Sequence, residues 1–98
     1  MMNDRDYVVM LYDFYGELLT EKQREYFEEY YFNNLSLSEI AGNLGVSRNA
    51  IHKVIQGVEE KLNFYEEKLE MYKKNQLIYD IIRDVEDENI KMRLKGLI

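Results

Sequence analysis

Apolar side chains at Tyr7, Val8, Leu11, Phe14, Tyr15, Leu18 and Leu19 recur at steps of three and four, which sets them on one face of a helix reaching to about Leu19. Thr20 followed by Gln23 has the form of a capping box, in which the hydroxyl accepts from a backbone amide three residues on and the amide side chain reaches back. A second helix therefore starts there and runs to about Asn33, with Phe27, Tyr30 and Tyr31 turned inward and Glu21, Glu25, Glu28 and Glu29 toward water. Ser36 and Glu39 repeat the box just before Ile40, Ala41 and Leu44, and Gly45 suits a left-handed C-cap, so a short third helix is expected. Ser47 offers the next N-cap, to a longer helix carrying Ala50, Ile51, Val54, Ile55, Val58 and Leu62.

The apolar pattern then continues as a heptad stripe, Ile51, Ile55, Val58, Leu62, Tyr65, Leu69 and Tyr72. Two arrangements satisfy it: packing against other helices of the same chain, or dimerisation with a second copy through Leu62, Tyr65, Leu69 and Tyr72; the pattern does not decide between them, and the expected assembly is a homodimer. A further face follows at Leu77, Ile78, Ile81, Ile82 and Val85. A last short helix is expected at Ile90, Leu94, Leu97 and Ile98, where acidic Asp84, Glu86, Asp87 and Glu88 preceding basic Lys91, Arg93 and Lys95 complement its dipole.

Composition sharpens this to an all-α fold. There is no proline, only five glycines, and 46% of the residues are hydrophobic, which favours long helices and one core over a turn-rich β architecture. Ninety-eight residues suffice for a single domain. We expect a helical bundle over 1–98, with N-terminal helices at 5–34, a helix-turn-helix at 36–61 and a C-terminal helical extension at 62–98. Nothing long and apolar enough for membrane insertion is present, and the opening MMNDRDYVVM lacks a secretion-signal pattern, so the expected place is the cytoplasm.

The absence of cysteine removes disulfides, thiolate metal sites and a cysteine nucleophile. His52 is the only histidine, with no Ser or Asp placed recognisably beside it for nucleophilic chemistry. Carboxylates at Glu28 and Glu29, Glu59 and Glu60, and Glu66, Glu67 and Glu70, interleaved with lysines, read as charged helix faces. The chain is accordingly expected not to be an enzyme, and no metal or cofactor is expected.

The segment LSLSEIAGNLGVSRNAIHKVI, residues 35–55, resembles the helix-turn-helix of sigma-70 region 4. Small Ala41 lets two helices touch, Gly45 sits in the turn, Val46 is expected to plug the core beneath it, and Ile51 and Val54 pack back. In such motifs the second helix enters the major groove with its N-terminal residues at base edges. With Ala50, Ile51 and Val54 inward, the outward set is Arg48, Asn49, His52, Lys53 and Gln56, residue types able to donate to guanine or pair with adenine. Ser36, Ser38 and Ser47, with the helix N-terminal amides, are candidate phosphate contacts.

Charge distribution refines the expected partner. The net charge of −6 argues against a general nucleic-acid coat. Residues 1–35 hold 3 basic and 8 acidic side chains and residues 62–98 hold 7 and 8, whereas residues 36–61 hold 3 of each. Contact with DNA is therefore expected to be local.

Over residues 11–74 the chain resembles a narrower family, the YlxM-like small helix-turn-helix proteins, through LYDFYGELLTEKQREYFEEYYFNNLSLSEIA at 11–41, GVSRNAI at 45–51 and FYEEKLEMYKK at 64–74. The resemblance implies a DNA-binding regulator whose genes neighbour those of the signal recognition particle. It also implies a Tyr-acid pair and a basic pair where this chain has His52-Lys53 and Gln56-Gly57. The second function class is thus an adaptor, whose acidic, Tyr-rich helices bind a protein or RNA component of that particle.

Overall fold

The computed structural model describes residues 4–98. Met1, Met2 and Asn3, the first positions of the 1–98 unit and of the segment read as lacking a signal, lie outside the described residues. The described chain is all-helical: α1 Asp4–Tyr15, a 3-10 turn Gly16–Leu18, α2 Glu21–Tyr31, α3 Leu37–Leu44, α4 Arg48–Leu69, α5 Met71–Asp84 and α6 Glu88–Lys95. Among the described residues no helix is long and apolar enough to cross a membrane.

The caps form where the side-chain chemistry placed them. Thr20 Oγ1 accepts from the Gln23 amide at 3.1 Å while Gln23 Oε1 accepts from the Thr20 amide at 3.0 Å. Ser36 and Glu39 repeat both bonds at the same lengths. The first α-helix stops at Tyr15 rather than Leu19, because a 3-10 turn tightens the chain at Gly16. A Cβ there would lie 3.1 Å from the Tyr12 ring.

One core organises the molecule, and α4 is its axis, packed on by α1, α2 and α3. Ile51, Ile55, Val58 and Leu62 are buried against Leu11, Tyr15, Phe27 and Ile40, each contributing roughly 1.5–3 kcal/mol by leaving water. Aromatic stacking closes α1 onto α2: Phe27 lies between Tyr12 at 4.2 Å and Tyr31 at 4.4 Å, centroid to centroid. Arg5 of α1 donates to the Tyr30 carbonyl at 2.9 Å and the Tyr31 carbonyl at 3.2 Å, satisfying the otherwise open C-terminus of α2.

The heptad stripe is an intrachain feature. Leu62 is 0% exposed within the single chain, Tyr65 and Tyr72 pack against the same core, and only Leu69, 46% exposed, faces out. Leu62 is therefore covered by the chain's own helices, and Tyr65 and Tyr72 are half-buried against them. Tyr72 lies beyond a break in the helix, where its ring meets Tyr7 edge-on at 5.5 Å and Phe14 at 6.3 Å.

That break is at Glu70, which takes the left-handed conformation at φ 54° and joins α4 to α5 with no side-chain cap of its own. The cap comes from elsewhere. Glu66, 8% exposed, accepts from the Tyr72 amide through Oε1 and from the Lys73 amide through Oε2, both at 3.0 Å. Tyr15 Oη donates to Glu66 Oε1 at 2.6 Å and accepts from the Met71 amide at 3.0 Å. Three amides at the start of α5 are thus held by one carboxylate and one phenol, and the carboxylate sits at the positive end of the helix dipole. Glu66 is accordingly not part of a solvated charged face. Burial, reinforced by the bond to Glu66, pushes the Tyr15 hydroxyl up to about 12.

Past the break the packing thins. Ile82 is the one buried residue of α5, and α6 contributes none. The molecule extends 56 × 24 × 23 Å, with a radius of gyration of 17.1 Å, against about 13 Å for a compact chain of 100 residues.

Candidate nucleic-acid interface

The turn between α3 and α4 is short because two backbone devices close it. Gly45 adopts φ 70°, a conformation that costs other residues about 1 kcal/mol or more. The Gly45 and Val46 amides both return to the Ala41 carbonyl, the latter at 3.1 Å. Ala41 is buried, so the two helices approach closely there. Val46 does not plug the core: it is 38% exposed, because the left-handed turn at Gly45 carries its side chain to the rim.

Ser47 starts α4 by accepting the Ala50 amide at 3.1 Å. Arg48, Asn49, His52, Lys53 and Gln56 are all exposed, while Ile51 and Ile55 are buried and Val54 is half-buried. At about 100° per residue the five polar positions span an arc of about 140° opposite the core, and along the axis they cover about 12 Å. The major groove has about that width. Among the described residues none of the five is engaged in a hydrogen bond or ion pair within the chain, so their donors and acceptors face outward unspent. The first turn of α4 contains no acidic residue.

The two helix N-termini differ. At α3, Glu39 accepts from the Ser36 amide, and those bonds to Ser36 hold its carboxyl below the usual carboxylate range. A negative charge therefore occupies the N-terminus of α3, and Ser38 stands exposed beside it. At α4 the cap is a neutral hydroxyl, which leaves the positive end of the dipole without a local counter-charge. Ser47 is the better placed of the two serines for a phosphate.

Several supporting contacts had no sequence signature. The Tyr31 hydroxyl donates to Glu59, tying α2 to the middle of α4, and burial followed by that bond raises its pKa. The Tyr12 hydroxyl donates to Glu28 Oε2 at 2.7 Å. Glu28 and Glu59 are thereby half-buried positioning groups rather than free surface acids.

Gly57 follows the polar arc inside α4, and a Cβ at that position meets nothing within 4 Å. Gly57→Ala should therefore stabilise the protein by up to about 1 kcal/mol, a rise of about 4–8 °C in melting temperature for a chain of this size. A thermal melt that falls on substitution would show that the open space is needed for backbone freedom.

The family described as "Putative helix-turn-helix protein, YlxM / p13 like" matches residues 2–96. A UPF0122 protein of Caldanaerobacter subterraneus subsp. tengcongensis is 45% identical over 87 residues, covering 89% of this chain and 74% of the relative. A UPF0122 protein of Malacoplasma penetrans is 44% identical over 87 residues, covering 89% and 81%. A UPF0122 protein of Ureaplasma urealyticum serovar 10 is 41% identical over 95 residues, covering 97% and 96%.

Proposed function

This chain belongs to the YlxM / p13-like helix-turn-helix family, and from that premise we propose that it is a cytoplasmic DNA-binding regulator rather than an enzyme. Arg48, Asn49, His52, Lys53 and Gln56 read base edges from α4, and Ser38 and Ser47 flank the groove at phosphates. The observation that carries this reading is the unspent polar arc on α4, as wide as a groove, set behind a three-residue turn in the one segment of the sequence whose charge is balanced.

The local nature of the site sets the expected behaviour. With two cations in the arc and a chain of net charge −6, non-specific affinity is weak, and specificity depends on base contacts worth roughly 1–3 kcal/mol per good bidentate pair. Labelled duplex DNA should bind saturably at low salt and lose affinity steeply toward physiological salt. Arg48→Ala with Lys53→Ala should remove that binding, at least tenfold, without changing the thermal melt, since both side chains are exposed. Unchanged DNA affinity in the double variant would sink the assignment of this face.

An adaptor reading is favoured by one specific feature, the 3 basic and 8 acidic side chains of residues 1–35, which suit a basic partner. The resemblance to YlxM-like proteins points to a component of the signal recognition particle. Running that particle's RNA and protein beside the DNA separates the two readings. Binding to either that survives Arg48→Ala with Lys53→Ala, in the absence of any DNA binding, would put the adaptor first.

A further inference from the structure

We infer that α4 and α5 form a latched hinge: the contact between Glu66 and Tyr15 holds the bend at Glu70, and the released state is a single continuous helix. This rests on the backbone bonding around Glu70 and is independent of whether α4 reads DNA.

The hydrogen bonds at the break can exchange one for one. The Glu70 amide donates to the Glu66 carbonyl and the Lys74 amide to the Glu70 carbonyl, both at 2.9 Å, as they would in an unbroken helix. Between them stand the amides of Met71, Tyr72 and Lys73, which an unbroken helix would bond to the carbonyls of Glu67, Lys68 and Leu69. In the bent chain they are held by the Tyr15 hydroxyl and the two carboxylate oxygens of Glu66, each at 3.0 Å. Straightening therefore strands no backbone donor: three carbonyls take over from three side-chain oxygens.

Nothing local asks for the bend. Residues 66–74, EEKLEMYKK, contain no glycine, proline or β-branched side chain, and Glu, Lys, Leu and Met are strong helix formers. Glu70 sits at φ 54°, a region that disfavours any residue with a Cβ. In a straight helix it would stand three and four residues from Lys73 and Lys74 on one side and from Glu67 and Glu66 on the other, so the charges roughly balance. The apolar period of Leu62, Tyr65, Leu69 and Tyr72 would run through without a step.

The bend is held from α1. Tyr15 supplies the phenol, and Tyr7 and Phe14 meet the Tyr72 ring; all three belong to α1. Straightening gives up those ring contacts and carries α5 and α6 to a new direction, while α2 and α3 keep their places on α4. Any contact that draws the end of α1 away from Glu66 thus also redirects α5 and α6.

The test is an intrachain distance. The chain has no cysteine, so Glu60→Cys with Asp80→Cys, both at exposed positions, places one nitroxide on α4 and one on α5. Double electron–electron resonance is recorded with labelled chains diluted into unlabelled ones, so that only distances within a chain are read. A continuous helix separates the two positions by about 30 Å along its axis, and the bend shortens this. The parent chain should give the shorter distance, and Glu66→Ala should make the separation near 30 Å the major one with the far-UV helical signal undiminished. Glu70→Ile leaves the latch intact but makes the left-handed conformation costly, and it should shift the distance the same way. Adding Glu70→Gly to Glu66→Ala should bring the shorter distance back, because glycine takes φ 54° without penalty. A distance that stays short in Glu66→Ala or in Glu70→Ile would overturn the hinge. So would a broadened distribution with a weakened helical signal in Glu70→Ile, since α5 would then be unravelling rather than joining α4.

Discussion

Leu62→Glu will abolish the cooperative thermal transition, whereas Leu69→Glu, two helical turns further along α4, will leave it in place. The two leucines look equivalent in a heptad pattern. In the fold Leu62 is completely buried and Leu69 is nearly half exposed. Removing a buried leucine alone costs about 2–5 kcal/mol, and a carboxylate in its place adds the cost of an unpaired buried charge. A chain of this size has only about 5–15 kcal/mol of stability in total, so the sum takes all or nearly all of it. Circular dichroism during heating checks both variants. A folded Leu62→Glu protein of unchanged melting temperature would mean that the stripe does not pack inside the chain.

Glu66→Ala should lower stability by about 2–4 kcal/mol, far more than loss of an acidic residue from a helix surface, which is worth a few tenths. The substitution strands the Tyr72 and Lys73 amides and the Tyr15 hydroxyl together, and each buried donor left unsatisfied costs about 1–3 kcal/mol, less where water reaches it. It also withdraws a negative charge from the N-terminus of α5. Tyr15→Phe removes the other half of the same device and strands the Met71 amide. Denaturant titrations of the two single variants and the double should show coupling of about 1–3 kcal/mol, because the pair acts as a unit. Additive effects, or a loss below about 0.5 kcal/mol for Glu66→Ala, would reduce the contact to an incidental one.

What could be read from the residues divides along a physical line. Signals contained within four or five positions were legible: the boxes at Thr20 and Ser36, the Ser47 cap and the left-handed Gly45 all have local chemistry that leaves few alternatives. Together with the period of Ile51, Ile55, Val58 and Leu62 they placed the helix-turn-helix and left Arg48, Asn49, His52, Lys53 and Gln56 outward. The end of α4 was not legible. Its apolar period runs unbroken from Leu62 to Tyr72, and the residue that turns the chain is a glutamate, a type with no preference for φ above zero. What makes the turn tolerable is a bond between residues 15 and 66, and no local pattern encodes a partner that far away. Glu28, Glu59 and Arg5 carry no local signature for the same reason: their roles lie in contacts across elements.

The left-handed turn at Glu70 also divides the chain into regions of unequal resistance to opening. Amides around Ile51 to Leu62 are released only when the core itself comes apart. Those of α5 and α6, behind one carboxylate and one buried isoleucine, can exchange with solvent through a smaller and more frequent fluctuation that leaves α1 to α4 standing. Opening of α6 and of the outer part of α5 can therefore precede opening of α4, whose end stays tied to α1 through Glu66 and Tyr15.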